Sequence, residues 1–333
     1  MEATKTMNEA KNKHTGGLFS LPLFKQSIQA NWVLWLLLTL GSCSIFFVIN
    51  VVVNSRNIFT NVDMNAVSTY VAEENLSWLQ ILGLLEQMGF SLSRISVMSR
   101  IDLNSILSDL VYKIVGVLLP MIYVVIVSNG LLVNQVNSGS MAYVLSTPTS
   151  RKKVIFTSFL FLFASLLAMY IAITGVALLS EAIAGFMRES RGGSSNLTPL
   201  RTLLLCYSSF AALFAIGGIC IGASAFFNKN KFALAVGGGA CVISFLCCIL
   251  GLFGNKVFVS VGIGVESMNV FNYASLFTLI DTESAKEFAY AVTGVPDSTI
   301  SYAWIYESLI LLGIGAVFSL VGGMRFLKKD LPL

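Results

Sequence analysis

The chain has 333 residues, of which 56% are apolar and only 11% charged, with a mean hydropathy of +0.80 and a formal net charge of +4. A soluble globular protein carries about 25% charged residues, so the composition describes a membrane protein and leaves too little polar chain for a soluble enzyme domain. All six cysteines, Cys43, Cys206, Cys220, Cys241, Cys247 and Cys248, lie in apolar runs and the one histidine, His14, lies in a polar N-terminal tail, which excludes a disulfide-stapled ectodomain, a CxxC metal site, HExxH zinc proteases and Ser-His or Cys-His intramembrane hydrolases. No catalytic, cofactor-binding or metal-ligating residue is therefore expected, and no cofactor.

Residues 1–17 read as a flexible cytoplasmic tail, and residues 18–333 as a single transmembrane domain. Ser20 and Pro22 suit a helix start, and Leu21, Phe24, Ile28, Trp32 and Trp35 recur at spacings of 3 and 4 opposite Lys25, Gln26 and Gln29. That pattern predicts an amphipathic helix at the cytoplasmic interface, the alternative being an extension of the first span. A helix crosses about 30 Å of hydrocarbon with roughly 20 apolar residues. Six stretches qualify, at 32–53, 114–133, 154–179, 202–226, 232–253 and 302–324.

Residues 54–113 form a long outer segment. Within it Glu73–Phe90 sets Leu76, Leu79, Leu82, Leu85 and Met88 on one face, but its acids and amides suit a surface helix better than a span. Asn104–Lys113 leads helically into the second span, with Asp109 and Lys113 at a pairing distance of four residues. In that span Pro120 and Asn129 provide a kink and an internal hydrogen-bonding group. The connector 134–153 holds a short helix that Ser140 begins and Thr147-Pro148 ends. It is partly apolar through Met141, Tyr143, Val144 and Leu145, and serves either as an interfacial anchor or as a docking element. Ser150 can cap the third span.

The fourth span is rich in small residues, and Gly218 and Gly222 form a GxxxG pair that admits a second helix closely, within the chain or between subunits. Residues 254–301 are the second outer segment. Their first part, 257–280, is apolar but broken by Gly262, Gly264, Glu266, Asn269 and Asn272, which suits a re-entrant or partly inserted element. Glu307 stands nearly alone as a charge within a span, below Tyr302, Trp304 and Tyr306. It is either hydrogen-bonded near the interface or functional.

Lysine and arginine set the orientation. With both termini cytoplasmic, the inner segments hold 12 basic and three acidic residues and the remainder nine basic and 14 acidic, so net charge divides into about +9 inside and −5 elsewhere. Charges gathered at span ends in this way follow topology, and nucleic acid is not an expected partner.

The run from Leu118 to Leu162, with Leu-Leu-Pro-Met-Ile-Tyr123 followed by Gly139-Ser-Met-Ala-Tyr-Val-Leu-Ser-Thr-Pro-Thr-Ser-Arg-Lys-Lys153, resembles the permease subunits of ABC-2 type transporters. Pro22-Leu-Phe-Lys-Gln26 with Asn31-Trp32, and Tyr273-Ala-Ser-Leu-Phe-Thr-Leu-Ile-Asp281, are similar to further phrases of that family. The last departs from the family's Pro-Phe-Thr-Leu-Phe-Asp. The resemblance implies an all-α integral membrane fold with six transmembrane helices, an interfacial helix before the first, and a re-entrant segment between spans five and six. It also implies a coupling helix between spans two and three that docks on a separate ATPase, which places Gly139, Ser140, Met141, Tyr143, Leu145 and Arg151 at the docking element. Implied partners are two copies of an ABC ATPase subunit, a second permease that is identical or homologous, and membrane lipid; the implied location is the cell membrane.

The sequence contains no GxxxxGK[ST] phosphate loop, since Gly217-Gly218 and Gly237-Gly238-Gly239 lie within spans without the lysine. ATP hydrolysis is thus expected in a partner chain. The expected function is ATP-driven export of an amphipathic lipid, peptide or peptide antibiotic. The alternatives are a membrane-embedded sensor or immunity protein and an ion-coupled carrier, which would need more buried ionisable groups.

Overall fold

The computed structural model describes residues 19–56, 111–146, 149–190, 199–254, 265–294 and 300–329. The predicted tail 1–17, the outer helix 73–90, Asp109 and the Thr147-Pro148 stop lie outside the described residues.

Among the described residues every regular element is helical. In chain order they are α1 (Leu21–Arg56), a π-turn (Val111–Val115), α2 (Gly116–Leu131), α3 (Val133–Asn137), α4 (Ser140–Ser146), α5 (Arg151–Glu189), α6 (Pro199–Phe226) and α7 (Asn230–Leu252). A 3-10 turn (Glu266–Asn269), α8 (Val270–Ala274), α9 (Thr282–Val292) and α10 (Ala303–Lys328) follow. Six helical stretches, those of α1, α2 with α3, α5, α6, α7 and α10, are long and apolar enough to cross a membrane.

The predicted interfacial helix is not a separate element. Leu21–Arg56 is one continuous helix of 36 residues, about 54 Å at 1.5 Å per residue, so the amphipathic stretch is an extension of the first span. No proline or glycine stands between Phe24 and Trp32, and the polar residues there turn back onto their own helix: Ser27 Oγ donates to the Leu23 carbonyl at 3.0 Å, and Asn31 Nδ2 to the Ser27 carbonyl at 2.9 Å. The third span is also longer than hydropathy predicts, because α5 continues past Leu179 to Glu189. At that point Asn50 of α1 donates to Ser180 Oγ at 3.1 Å, so the polar turn is hydrogen-bonded inside the bundle. With Ser20 on Thr157 and Trp35 on the Ser165 carbonyl, these contacts show α1 and α5 running side by side in the same direction.

α6 is the axis of the bundle, packed against α2, α5, α7 and α10, with Leu205, Leu213, Ile216 and Ile221 buried. Its outer start contacts the π-turn. A π-turn leaves backbone carbonyls without helical donors, and here the Tyr112 carbonyl accepts from Ser209 Oγ at 2.9 Å and the Gly116 carbonyl from the Tyr170 hydroxyl.

Between α7 and α10 the chain turns back along α7. Ser275 Oγ donates to the Ser244 carbonyl at 2.8 Å, and the Leu276 amide donates to Ser244 Oγ at 2.7 Å. Ser244 lies about 12 Å from the end of α7 at 1.5 Å per residue, so the segment after α8 reaches well down that helix. Asp281 then caps α9 by accepting from the Glu283 and Ser284 amides. Ser244→Ala leaves the Leu276 amide without its acceptor. A loss of about 1–3 kcal/mol is expected in detergent unfolding, and an unchanged midpoint would mean that this segment is not held by α7.

Candidate functional site

One end of the bundle gathers the starts of α1, α5 and α7 with the ends of α3, α6 and α10. Its described residues include Lys25, Arg151, Lys152, Lys153, Lys229, Lys231, Arg325, Lys328 and Lys329 and no carboxylate, whereas Glu181, Glu189, Glu266, Asp281, Glu283, Glu287 and Glu307 all belong to the opposite end. We call the first the basic end.

α4 lies at the basic end and is set by local chemistry. Leu132 leaves helical geometry, at φ −125° and ψ −68°, which ends α2. Gly139 stands at φ +75°, a backbone region that a side chain opposes, and so allows the chain to turn sharply from α3 into α4. Ser138 and Ser140 contact one another at 3.0 Å and both donate to the Gln135 carbonyl, bracing that turn. Past α4, Thr149 Oγ1 donates to the Val144 carbonyl at 2.7 Å, and the Lys153 amide reaches both the carbonyl and, at 3.4 Å, the hydroxyl of Ser150.

The residues singled out on this connector face different ways. Met141 is 2% exposed and packs into the core, while Tyr143 is 80% exposed. The side chain of Leu145 lies outside what is described. Arg151 turns toward the bundle, its guanidinium donating to the Lys329 carbonyl at 2.8 Å. Lys329 is buried and donates from Nζ to the Ala225 carbonyl at 3.3 Å. Burial, with the Arg325 charge second, pulls its ammonium down to about 8.

Gly218 and Gly222 lie within the chain's own bundle, against α10. A Cβ on Gly218 would meet the backbone of Gly315, and one on Gly222 would come 2.5 Å from the Phe318 carbonyl oxygen. From the other side, a Cβ on Gly322 would lie 2.5 Å from Gly222 Cα. The two helices therefore touch backbone to backbone.

At the opposite end Glu307 has one buried carboxylate oxygen, Oε2, without a hydrogen-bond partner, and Asp281 and Lys113 are the charges acting on it. The neighbouring Trp304 ring packs between Phe288, at 5.4 Å, and Tyr207, at 6.2 Å. Burial pulls the Lys113 ammonium below the ordinary lysine range, while Cys248, Asp281 and Glu307 oppose that shift. Asn129 is buried, and its Nδ2 bonds to the Val125 carbonyl on its own helix at 3.2 Å, leaving Oδ1 without a partner. The Cys220 and Cys241 sulfurs approach to 3.7 Å across α6 and α7 as free thiols. Among the described residues no group of three or more potential metal ligands occurs.

Sequence reasoning missed Lys329, Ser224 and the glycines of α10. Each acts on a residue about 90 or more positions away, and only a second glycine-rich stretch, Gly313 to Gly323, signalled any of them.

A family model described as ABC-2 family transporter protein matches residues 24–331. No curated protein and no solved structure matches the chain. The match takes in all six apolar helices and the connector with α4, and the chain belongs to the ABC-2 family of transporter proteins.

Proposed function

We propose that the chain is the permease subunit of an ATP-driven exporter in which α4 docks on a separate ATPase subunit. The carrying observation is the disposition of α4. It is a seven-residue helix, fastened inward by Met141 and presenting Tyr143 outward, at the end of the bundle that carries described cations and no described carboxylate. The positive-inside rule places that end in the cytoplasm, with both termini inside a cell membrane, and residues 18–333 forming one transmembrane domain. An aromatic side chain on a braced helix offers an anchor for a partner's pocket. Two ATPase copies and a second permease, identical or homologous, complete the transporter.

The nearly charge-free spans favour an amphipathic substrate, namely a lipid, a peptide or a peptide antibiotic, over an ion. The permease complex in vesicles, supplied with a fluorescent short-chain phospholipid and separately with an amphipathic cationic peptide, should move at least one of them when ATP is added inside the ATPase-bearing compartment. Binding without ATP-dependent movement would favour a sensor, and movement driven by an ion gradient without the ATPase would favour a secondary carrier. Either result contradicts the exporter reading.

A further inference from the structure

The chain leaves the bundle before α4 and rejoins it after α4, and both points are fastened to the same place, the basic end of α6. Before α4, the break at Leu132 frees the Val133 amide from its helix, and that amide donates to Ser224 Oγ at 3.1 Å. After α4, Arg151 donates to the Lys329 carbonyl at 2.8 Å and Lys329 Nζ to the Ala225 carbonyl at 3.3 Å. Ser224 and Ala225 are consecutive residues of α6, both fully buried. The Ala225 carbonyl belongs to the last turn of α6, where helical donors run out. Lys329 follows directly on α10, and α10 is joined to α6 by the glycine contacts of Gly218, Gly222, Gly315 and Gly322.

We propose that Arg151, Lys329 and the Ala225 carbonyl, with Val133 and Ser224 opposite, form a clasp through which displacement of α4 is delivered to the α6–α10 pair. The inference rests on the reading of α4 as the ATPase-docking element. The chain itself connects α4 only to α2 through α3 and to α5. Without the clasp, a push on α4 would reach α6 through side-chain packing alone. With it, both flanks of α4 bear on one turn of the central helix, and α10 follows because its backbone cannot slide freely past that of α6. Lys329 is a positioning residue in this scheme. Its ammonium supplies the donor that the Ala225 carbonyl takes at the end of α6, so a methionine in its place leaves that carbonyl unpaired and lowers stability somewhat.

The test uses the full chain in complex with its ATPase, with native cysteines replaced and spin labels at Ile183→Cys on α5 and Tyr306→Cys on α10, both exposed near the opposite end. ATP with vanadate should shift the distance between the labels. Lys329→Met should stay folded with a somewhat lowered thermal midpoint, hold ATP turnover within about twofold and lose at least half of that shift, and Lys329→Arg, which retains a donor, should restore it. Ser224→Ala should lose part of the shift through the other flank. A full shift in Lys329→Met, ATP turnover lost together with the shift, or no shift in the parent protein each overturns the clasp. The docking reading is tested separately by Tyr143→Glu. If that variant keeps the ATPase, the docking reading fails. If it releases the ATPase while Lys329→Met shifts fully, the clasp alone fails.

Discussion

Gly218→Val is expected to cost about 3 kcal/mol or more of bundle stability, at or above the upper part of the range for overpacking. The reason is the identity of the atoms in the way. A Cβ on Gly218 would meet the Gly315 carbonyl oxygen, Cα and carbonyl carbon, which are backbone and cannot change rotamer. The neighbouring contacts give no room to relax, because a Cβ on Gly222 would lie 2.5 Å from the Phe318 carbonyl oxygen and one on Gly315 would lie 2.6 Å from the Phe214 carbonyl oxygen. To admit the side chain, α10 would have to draw away from α6 along most of its length. In lipid the pair has no hydrophobic driving force to compensate, since association of apolar helices rests on close packing. Gly313→Ala is the control: on the facing helix α10, a Cβ there has nothing within 4 Å, and a change within about 0.5 kcal/mol is expected. Unfolding in mixed detergent, followed by helical signal, measures both. A Gly218→Val protein with the parent midpoint would show that the two backbones are not in contact.

These glycines also show what a single sequence conveys. Gly218 and Gly222 stand out because small residues repeat at a helical spacing, but the sequence left open whether their partner lay in the same chain. The answer lies about 100 residues away in α10, whose glycines at 315 and 322 follow no matching GxxxG spacing. Spans were legible for a different reason. Hydropathy is a local property, and the fourth ends at Phe226 as read. Hydropathy ends the third ten residues short because Ser180 and Glu181 look like the start of a polar loop, and only the Asn50 side chain from α1 shows why the helix continues. Amphipathicity reports which face is polar and says nothing of whether a helix breaks, so it sets apart an interfacial helix that the structure joins to the first span. The π-turn before α2 has no local signature. It rests on hydroxyls from Tyr170 and Ser209, on two other helices.

The connector was the most legible part of the site. Ser140 and Gly139 mark where α4 begins, and Gly139 adopts the positive φ that its residue type permits. Periodicity could not distribute its apolar residues, and Met141 packs inward while Tyr143 faces out. Arg151 reads as part of a cationic run but reaches back to the Lys329 carbonyl.

Tyr143 therefore carries the largest expected effect on partnership. An aromatic anchor seated in a partner's pocket typically contributes 2 kcal/mol or more, about 30-fold in affinity. Replacing it with glutamate adds the burial of an unpaired carboxylate. Tyr143→Glu should lower ATPase retention by about 30-fold or more, while leaving membrane insertion unchanged, because Tyr143 is 80% exposed and makes no core contact. The most direct measurement is purification of the tagged chain from its native membranes, followed by assay of vanadate-sensitive ATP hydrolysis in the recovered complex. The parent chain should bring down an ATPase and its activity, and Tyr143→Glu should be recovered folded and with little of either. A parent chain that purifies without ATPase activity, or a Tyr143→Glu variant that keeps it in full, would contradict the assignment of α4 as the docking element.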